Sequence, residues 1–67
     1  MKLSYFPETD QLYIGLCDGK SVESEEVAPG IVLDFDGDGK VVGIDIEHAS
    51  KALDLKTLEA HSLPIPA

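Results

Sequence analysis

The sequence contains no arginine, and its positive charge is limited to five lysines. They are scattered along the chain, at Lys2, Lys20, Lys40, Lys51 and Lys56. Thirteen carboxylates oppose them, so the formal net charge is -8. Nucleic-acid binding needs a basic stripe that displaces counterions, and anionic membranes also attract basic segments. The composition therefore predicts no binding to nucleic acid or to a membrane, and its acidity would suit a basic partner protein.

Cysteine and long apolar runs are equally scarce. Cys17 is the only cysteine, which excludes an internal disulfide, and one free thiol is typical of a reducing compartment. The N-terminus enters a strand pattern at once, without the apolar segment of a secretory signal peptide. No stretch approaches the ~20 apolar residues of a membrane-spanning helix. We therefore expect a soluble, cytoplasmic protein.

The length of 67 residues predicts one small domain that covers residues 1–67. A chain of this size buries only ~60% of the surface that its unfolded form exposes, so its core is marginal. Small domains gain stability from disulfides, metals or oligomerisation. Because a disulfide is excluded, a metal or a second subunit remains, and the second is commoner.

Alternating apolar residues predict four or five short strands. A first strand surrounds Leu3 and Tyr5, and a weak, glutamate-rich third strand runs from Ser21 to Ala28, with a bulge or an early exit from the sheet. The remaining strands supply one apolar face, and with Leu53 they form the predicted core: Leu12, Ile14, Leu16, Ile31, Leu33, Phe35, Val42, Ile44, Ile46 and Leu53. We expect Ile31 and Leu33 to face inward and Val32 to face outward.

Two Asp-Gly sequences predict hairpin turns. Asp36-Gly37-Asp38-Gly39 separates two alternating runs, which is the strongest short-range hairpin signal, and Cys17-Asp18-Gly19-Lys20 has the same chemistry. Beyond Ile46 the period changes, and Glu47–Leu53 is predicted as a helix with a narrow apolar stripe. For residues 54–67 the sequence leaves two alternatives open, a further turn capped by Asp54 through Leu55 and Leu58, or an irregular tail that extends toward Leu63. The fold class is therefore mainly β (α+β), an antiparallel β-meander of four or five strands with one short C-terminal helix.

Several motifs occur in a distinctive order along three quarters of the chain. They are Tyr5-Phe6-Pro7-Glu8-Thr9-Asp10 with Leu12-Tyr13-Ile14, then Glu25-Glu26-Val27-Ala28-Pro29-Gly30, Asp34-Phe35-Asp36, and Val42-Gly43-Ile44-Asp45-Ile46 before Ala49-Ser50-Lys51. In these residues the chain resembles the bacterial and archaeal family called domain of unknown function 2283. The resemblance implies a compact β-meander that ends in a short helix. It implies no activity, because the family is uncharacterised.

Four aspartates have the spacing of a calcium loop. Asp34, Asp36 and Asp38 alternate, Gly39 follows where an EF-hand loop turns sharply, and Asp45 stands at the twelfth position. Two features depart from that motif, since the twelfth residue is not glutamate and the flanks are strands rather than helices. The preferred interpretation is a hairpin turn with solvated carboxylates, and calcium binding at Asp34–Asp45 is the alternative.

Nothing in the sequence predicts catalysis or a cofactor. Cys17, His48 and Asp45 are the residue types of a nucleophilic triad, but their spacing gives no reason to bring them together. We expect a non-enzymatic interaction module that self-associates, most simply as a two-fold dimer. One short helix covers little of a sheet, so apolar surface should remain open. The expected uncovered residues are Tyr5, Phe6, Tyr13, Val32 and Val41, unless the tail folds back on them with Leu55, Leu58, Leu63 and Ile65.

Overall fold

The computed structural model describes residues 1–64 and shows one antiparallel sheet followed by one short helix. The strands are β1 (Lys2–Phe6), β2 (Gln11–Gly15), β3 (Glu23–Ala28), β4 (Ile31–Phe35) and β5 (Val41–Ile46), and the helix is α1 (Ala49–Ala52). The predicted fold class is confirmed. Ile65 and the two residues after it lie outside the described residues, so the predicted role of Ile65 stays a prediction.

The strands lie side by side in the order β1-β2-β5-β4-β3. The meander therefore comprises β3, β4 and β5, and the β1–β2 hairpin joins it through β2 and β5. The predicted hairpin turn at Cys17–Lys20 is wrong, because residues 16–22 carry the chain across one end of the sheet from β2 to β3. The reason is apolar pairing: β5 places Ile46 opposite Leu12 and Ile44 opposite Ile14, which the glutamates of β3 cannot do.

The register divides the sheet into two faces, because residues directly opposite each other point to the same side. The apolar face carries Leu3, Tyr5, Leu12, Ile14, Ile31, Leu33, Phe35, Ile44 and Ile46. The polar face carries Ser4, Phe6, Gln11, Tyr13, Val32, Asp34, Gly43 and Asp45. Ile31 packs against the core cluster, so the predicted register of β4 is confirmed.

Both ends of the apolar face are covered, and its middle is not. At one end Ala49 of α1 packs on Leu12 and Ile46, and these three residues form the core cluster. At the other end the β2–β3 connection passes over Val42, whose Cγ1 lies 2.9 Å from where a Cβ on Gly19 would stand. Between them Ile14, Leu33 and Ile44 are only half-buried. The predicted core residue Leu53 is 37% exposed and is not part of the core.

The helix is shorter than the predicted Glu47–Leu53. Glu47 is a turn residue after β5, and its backbone N–H donates to the carbonyl of Gly30 at 2.8 Å. His48 has a left-handed backbone with φ of 53°, so the helix can begin only at Ala49. Leu53 is already extended and caps the C-terminus. Residues 54–64, the described part of the tail, contain no helix or strand.

The weak third strand has the irregularity that its sequence predicts. The register of β3 shifts between Glu26 and Ala28, so Val27 forms a bulge, and every residue of the strand is exposed. The Asp36–Gly39 hairpin is also confirmed, with Gly39 at a φ of 81° that favours glycine. Within residues 1–64, no helix is long and apolar enough to cross a membrane.

Candidate functional site

Asp10 joins the β1–β2 turn to the start of α1. Its carboxylate Oδ1 accepts hydrogen bonds from the Tyr5 hydroxyl at 2.8 Å and from the Ser50 backbone N–H at 3.1 Å. Its Oδ2 accepts from the Ser50 hydroxyl at 2.7 Å, and its carbonyl accepts from the Ala49 N–H at 2.9 Å. Asp10 therefore satisfies two of the free N–H groups that begin a helix, although it is remote in sequence. This contact holds Ala49 over the apolar face.

The hydrogen bonds at Asp10 shift the pKa values of Asp10 and Tyr5 in opposite directions. Donation from the Ser50 and Tyr5 hydroxyls stabilises the carboxylate, which lowers the pKa of Asp10. The hydrogen bond to Asp10 raises the pKa of Tyr5. An ionised phenol could no longer donate this hydrogen bond and would face the negative charge of the carboxylate. A general base works best with a pKa near neutrality, which this carboxylate lacks. Asp10 therefore acts as a structural link between the β1–β2 turn and α1.

Hydrogen bonds between side chains link four strands of the polar face, β2, β5, β4 and β3. The Gln11 amide donates to both carboxylate oxygens of Asp45, at 2.8 Å each. The Tyr13 hydroxyl donates to Asp34 at 3.2 Å, and the Ser24 hydroxyl donates to the other oxygen of Asp34 at 2.6 Å. In the described part of the chain, no buried side-chain polar atom lacks a partner. The polar face thus satisfies its own hydrogen-bonding groups.

Tyr13 reaches Asp34 by crossing β5 at Gly43. A Cβ on Gly43 would stand 2.6 Å from the Tyr13 Cζ and would overlap its hydroxyl, so glycine is needed for the crossing. Burial of the phenol raises the pKa of Tyr13, and the hydrogen bond to Asp34 and the charge of that carboxylate raise it further. Tyr13 is consequently a neutral hydrogen-bond donor at physiological pH.

The structure separates the four aspartates of the calcium hypothesis. Asp36 organises the hairpin turn, where its Oδ1 accepts from the backbone N–H groups of Asp38 at 2.9 Å and Lys40 at 3.0 Å. Asp34 and Asp45 are held on the polar face by neighbouring side chains. Among residues 1–64, no three His, Cys, Asp or Glu side chains are placed to hold a metal ion. The geometry gives the calcium hypothesis no support.

Cys17, His48 and Asp45 do not come together. Cys17 is exposed and follows the end of β2 that pairs with Gly43, whereas His48 follows the opposite end of β5. Asp45 points to the polar face and is engaged by Gln11. These positions agree with the interpretation that the three residues form no triad.

An exposed apolar surface lies along β1. A shallow groove of about 480 Å³ is lined by Leu3, Tyr5, Leu12 and Leu55, which we call the β1 patch. Leu3 is 49% exposed, Tyr5 45% and Leu55 40%. The patch belongs to the apolar face, because Leu3 pairs with Ile14 and Tyr5 with Leu12. Tyr5 was expected on uncovered surface, but Leu3 was not.

Of the other expected surface residues, Phe6 agrees with the prediction and three do not. Phe6 is 46% exposed on the polar face, whereas Tyr13, Val32 and Val41 are half-buried. Hydrogen bonds hold the other side chains of the polar face against one another, and Phe6 stays exposed at its edge. The described part of the tail does not close the sheet either, since Leu58 is 81% and Leu63 59% exposed.

Sequence reasoning treats Asp10 as a turn residue and overlooks its contact with α1. One signal was available: His48 stands before the helix, and histidine is a weaker N-cap than Ser, Thr, Asp or Asn. A helix that begins without its own cap needs an acceptor from elsewhere. Which distant carboxylate supplies it depends on the β2–β5 register, which local sequence does not reveal.

Comparison with known protein families finds one match, to the family described as "Protein of unknown function (DUF2283)", over residues 2–50. The matched range contains all five strands, the Asp10–Ser50 contact and most of the β1 patch, but not Leu55 or the rest of the tail. Comparisons with curated proteins and with solved structures find no match.

Proposed function

This chain belongs to the DUF2283 family of proteins of unknown function, and because membership supplies no activity, we propose from its surface that it is a non-enzymatic interaction module that forms a two-fold homodimer. The single observation that supports the proposal is the open apolar surface at β1. Three carboxylates are engaged in the fold: Asp10, Asp34 and Asp45 each accept hydrogen bonds from structural neighbours.

The total solvent-accessible area of the chain supports the proposal that it has a partner. Folded monomers of 7.2 kDa expose about 4,100 Å² by the usual scaling with mass. This chain exposes 5377 Å². Part of the difference comes from the exposed tail, and part from the half-open apolar face. An excess of roughly 1,200 Å² exceeds the ~800 Å² that each partner buries in a standard interface.

A second copy fits the β1 patch better than a basic protein does. The patch contains no carboxylate, so it offers a basic partner no charge to bind, and two copies can meet there with little local repulsion. A two-fold dimer is also the commonest closed assembly. The exposed Cys17 thiol would persist in a reducing compartment, which is consistent with a cytoplasmic location.

Light scattering at moderate salt tests the proposal. We expect a mass of twice 7.2 kDa at micromolar concentrations, unchanged by millimolar calcium. Leu3→Glu should shift the protein toward the monomer, since a carboxylate would enter the patch. The matched control is Val22→Glu, which adds the same charge at a residue that is 63% exposed but outside the patch. A mass of 7.2 kDa throughout, or equal effects of both variants, would contradict the proposal.

A further inference from the structure

The two edges of the sheet differ in how well they are protected from pairing. β1 and β3 are the outermost strands, so within residues 1–64 each has one side without a strand neighbour. Such an edge presents backbone N–H and C=O groups that can pair with another strand. The chemistry of the two edges shows which of them is suited to do so.

β3 has the features that prevent pairing. It carries Glu23, Glu25 and Glu26, and a bulge interrupts its register between Glu26 and Ala28. Charged side chains and bulges are the usual means by which edge strands avoid association. A second β3 placed alongside would bring six carboxylates together, at a cost from like-charge repulsion.

β1 has no bulge and no carboxylate, and Lys2 at its first position is its single charged residue. Its five residues pair with β2 in unbroken register, from Lys2 opposite Gly15 to Phe6 opposite Gln11. It contains no proline and no carboxylate, and among the five strands of residues 1–64 it alone has a net positive charge. Leu3, Tyr5 and Phe6 are each nearly half exposed along it. In a chain with a net charge of -8, this edge is where a second copy meets the least repulsion.

We infer that β1 pairs antiparallel with β1 of a second copy, about a two-fold axis at Ser4, to form one continuous ten-stranded sheet. This inference rests on the proposed self-association and specifies its geometry. Leu3 of one copy lies opposite Tyr5 of the other on the apolar face, and Lys2 lies opposite Phe6 on the polar face. No two like charges are opposed, and the two β1 patches become neighbours across the axis.

The same geometry explains why assembly stops at two copies. The outer edges of the ten-stranded sheet are then the two β3 strands, whose glutamates and bulges resist further pairing. A head-to-tail arrangement of β1 against β3 would leave a free edge at each end and would continue into filaments. It would also have to accommodate the bulge at Val27 within the new ladder.

Cross-linking at the proposed axis tests this register. In a Cys17→Ser background, Ser4→Cys places two thiols directly opposite each other. Opposed residues of antiparallel strands have Cα atoms roughly 4.5–5.5 Å apart, within the range that disulfides span. We expect most of the protein to form a covalent dimer under mild oxidation. The matched control is Ser24→Cys in the same background, because Ser24 is the equivalent polar-face serine on β3.

Each outcome decides the inference. Covalent dimer from Ser4→Cys with little from Ser24→Cys supports it, whereas equal yields indicate random collision and overturn it. A parent that is dimeric by light scattering but whose Ser4→Cys variant does not cross-link retains the proposed function and rejects this register. A monomeric parent rejects both, and filaments reject the two-fold geometry.

Hydrogen exchange on the unmodified chain gives a second measurement, which does not depend on how the variants fold. Amide protection in β1 should increase with protein concentration in the micromolar range, as its edge becomes paired. Protection in β3 should not change. Concentration-dependent protection of β3, or of neither edge, would contradict β1 pairing.

Discussion

The two faces of the sheet achieve order by different physical means. The apolar face depends on cover from other elements, and it is incomplete because α1 is only four residues long. The polar face needs no cover, because Gln11, Tyr13 and Ser24 hydrogen-bond to carboxylates on other strands of the sheet. The difference indicates that a small single-layer sheet can close one side with its own side chains and leave the other for a partner.

The largest effect should come from removing apolar contact at the covered end of the apolar face. Ile46 is 6% exposed and packs with Leu12 and Ala49. Ile46→Ala should lower the free energy of unfolding by about 2–4 kcal/mol, through lost burial and a residual cavity. For a small, marginally stable domain this is a large fraction of the total. Chemical denaturation followed by circular dichroism measures it.

Val32→Ala provides the matched control on the polar face, at a residue opposite Asp45 in the same pair of strands. Because Val32 is half-buried, its truncation should cost only about 1 kcal/mol. Equal losses at Ile46 and Val32 would show that the two faces contribute alike to the free energy of unfolding.

The next effect should come from the crossing of Tyr13 over Gly43 on the polar face. In Gly43→Ala the new methyl group collides with the Tyr13 ring, which must leave its place and its hydrogen bond to Asp34. We expect a loss of about 1–3 kcal/mol, typical of overpacking. In a Tyr13→Ala background the sign should reverse, since alanine is favoured over glycine in a strand by roughly 0.5–1 kcal/mol.

Gly15→Ala is the control for that experiment. Gly15 lies directly opposite Gly43, yet a Cβ there would meet its nearest atoms at 3.7 Å, an ordinary contact distance. This variant should be neutral or slightly stabilising in urea denaturation. If Gly15→Ala and Gly43→Ala were equally destabilising, backbone geometry rather than the Tyr13 ring would explain the need for glycine.

The sequence predicts much of this fold and little of its candidate site. The apolar face is predicted by the alternation of apolar residues, at Leu12 and Ile14 in β2 and at Ile31 and Leu33 in β4. The Asp-Gly sequence at residues 36–39 correctly predicts the β4–β5 hairpin. The same dipeptide at Asp18-Gly19 misleads, because a turn signal is local whereas strand order depends on which apolar strands pair. Glycine and aspartate suit a crossing connection as well as they suit a hairpin.

The site depends on long-range register, which explains why its details escape prediction. Tyr5 and Tyr13 both look like surface aromatics in the sequence, yet they lie on opposite faces of the sheet. The first borders an open groove, and the second spans Gly43 to reach Asp34. Leu3 and Leu55 are 52 positions apart and meet only because the chain returns past β1 after α1.

The smallest effect concerns the hydrogen bonds of Asp10 to Ser50, which hold α1 over the apolar face. The pKa of Asp10 lies below the ordinary value of 3.8, chiefly because of the Ser50 and Tyr5 hydroxyls. A carboxyl group whose pKa is lower in the folded state stabilises that state above the unfolded pKa. This contribution is lost as the pH falls through the folded pKa.

Asp10→Asn removes the charge and one acceptor oxygen, so it should be less stable than the parent at neutral pH. The gap should be constant above pH ~5 and should close as the pH falls through the unfolded and then the folded pKa, where the parent also becomes protonated. Thermal unfolding between pH 7 and pH 2.5 measures the gap, with Asp38→Asn in the distant β4–β5 turn as the control for loss of one charge. A gap that persists at the lowest pH, or one that the control reproduces, would show that the carboxylate of Asp10 does not hold α1 in place.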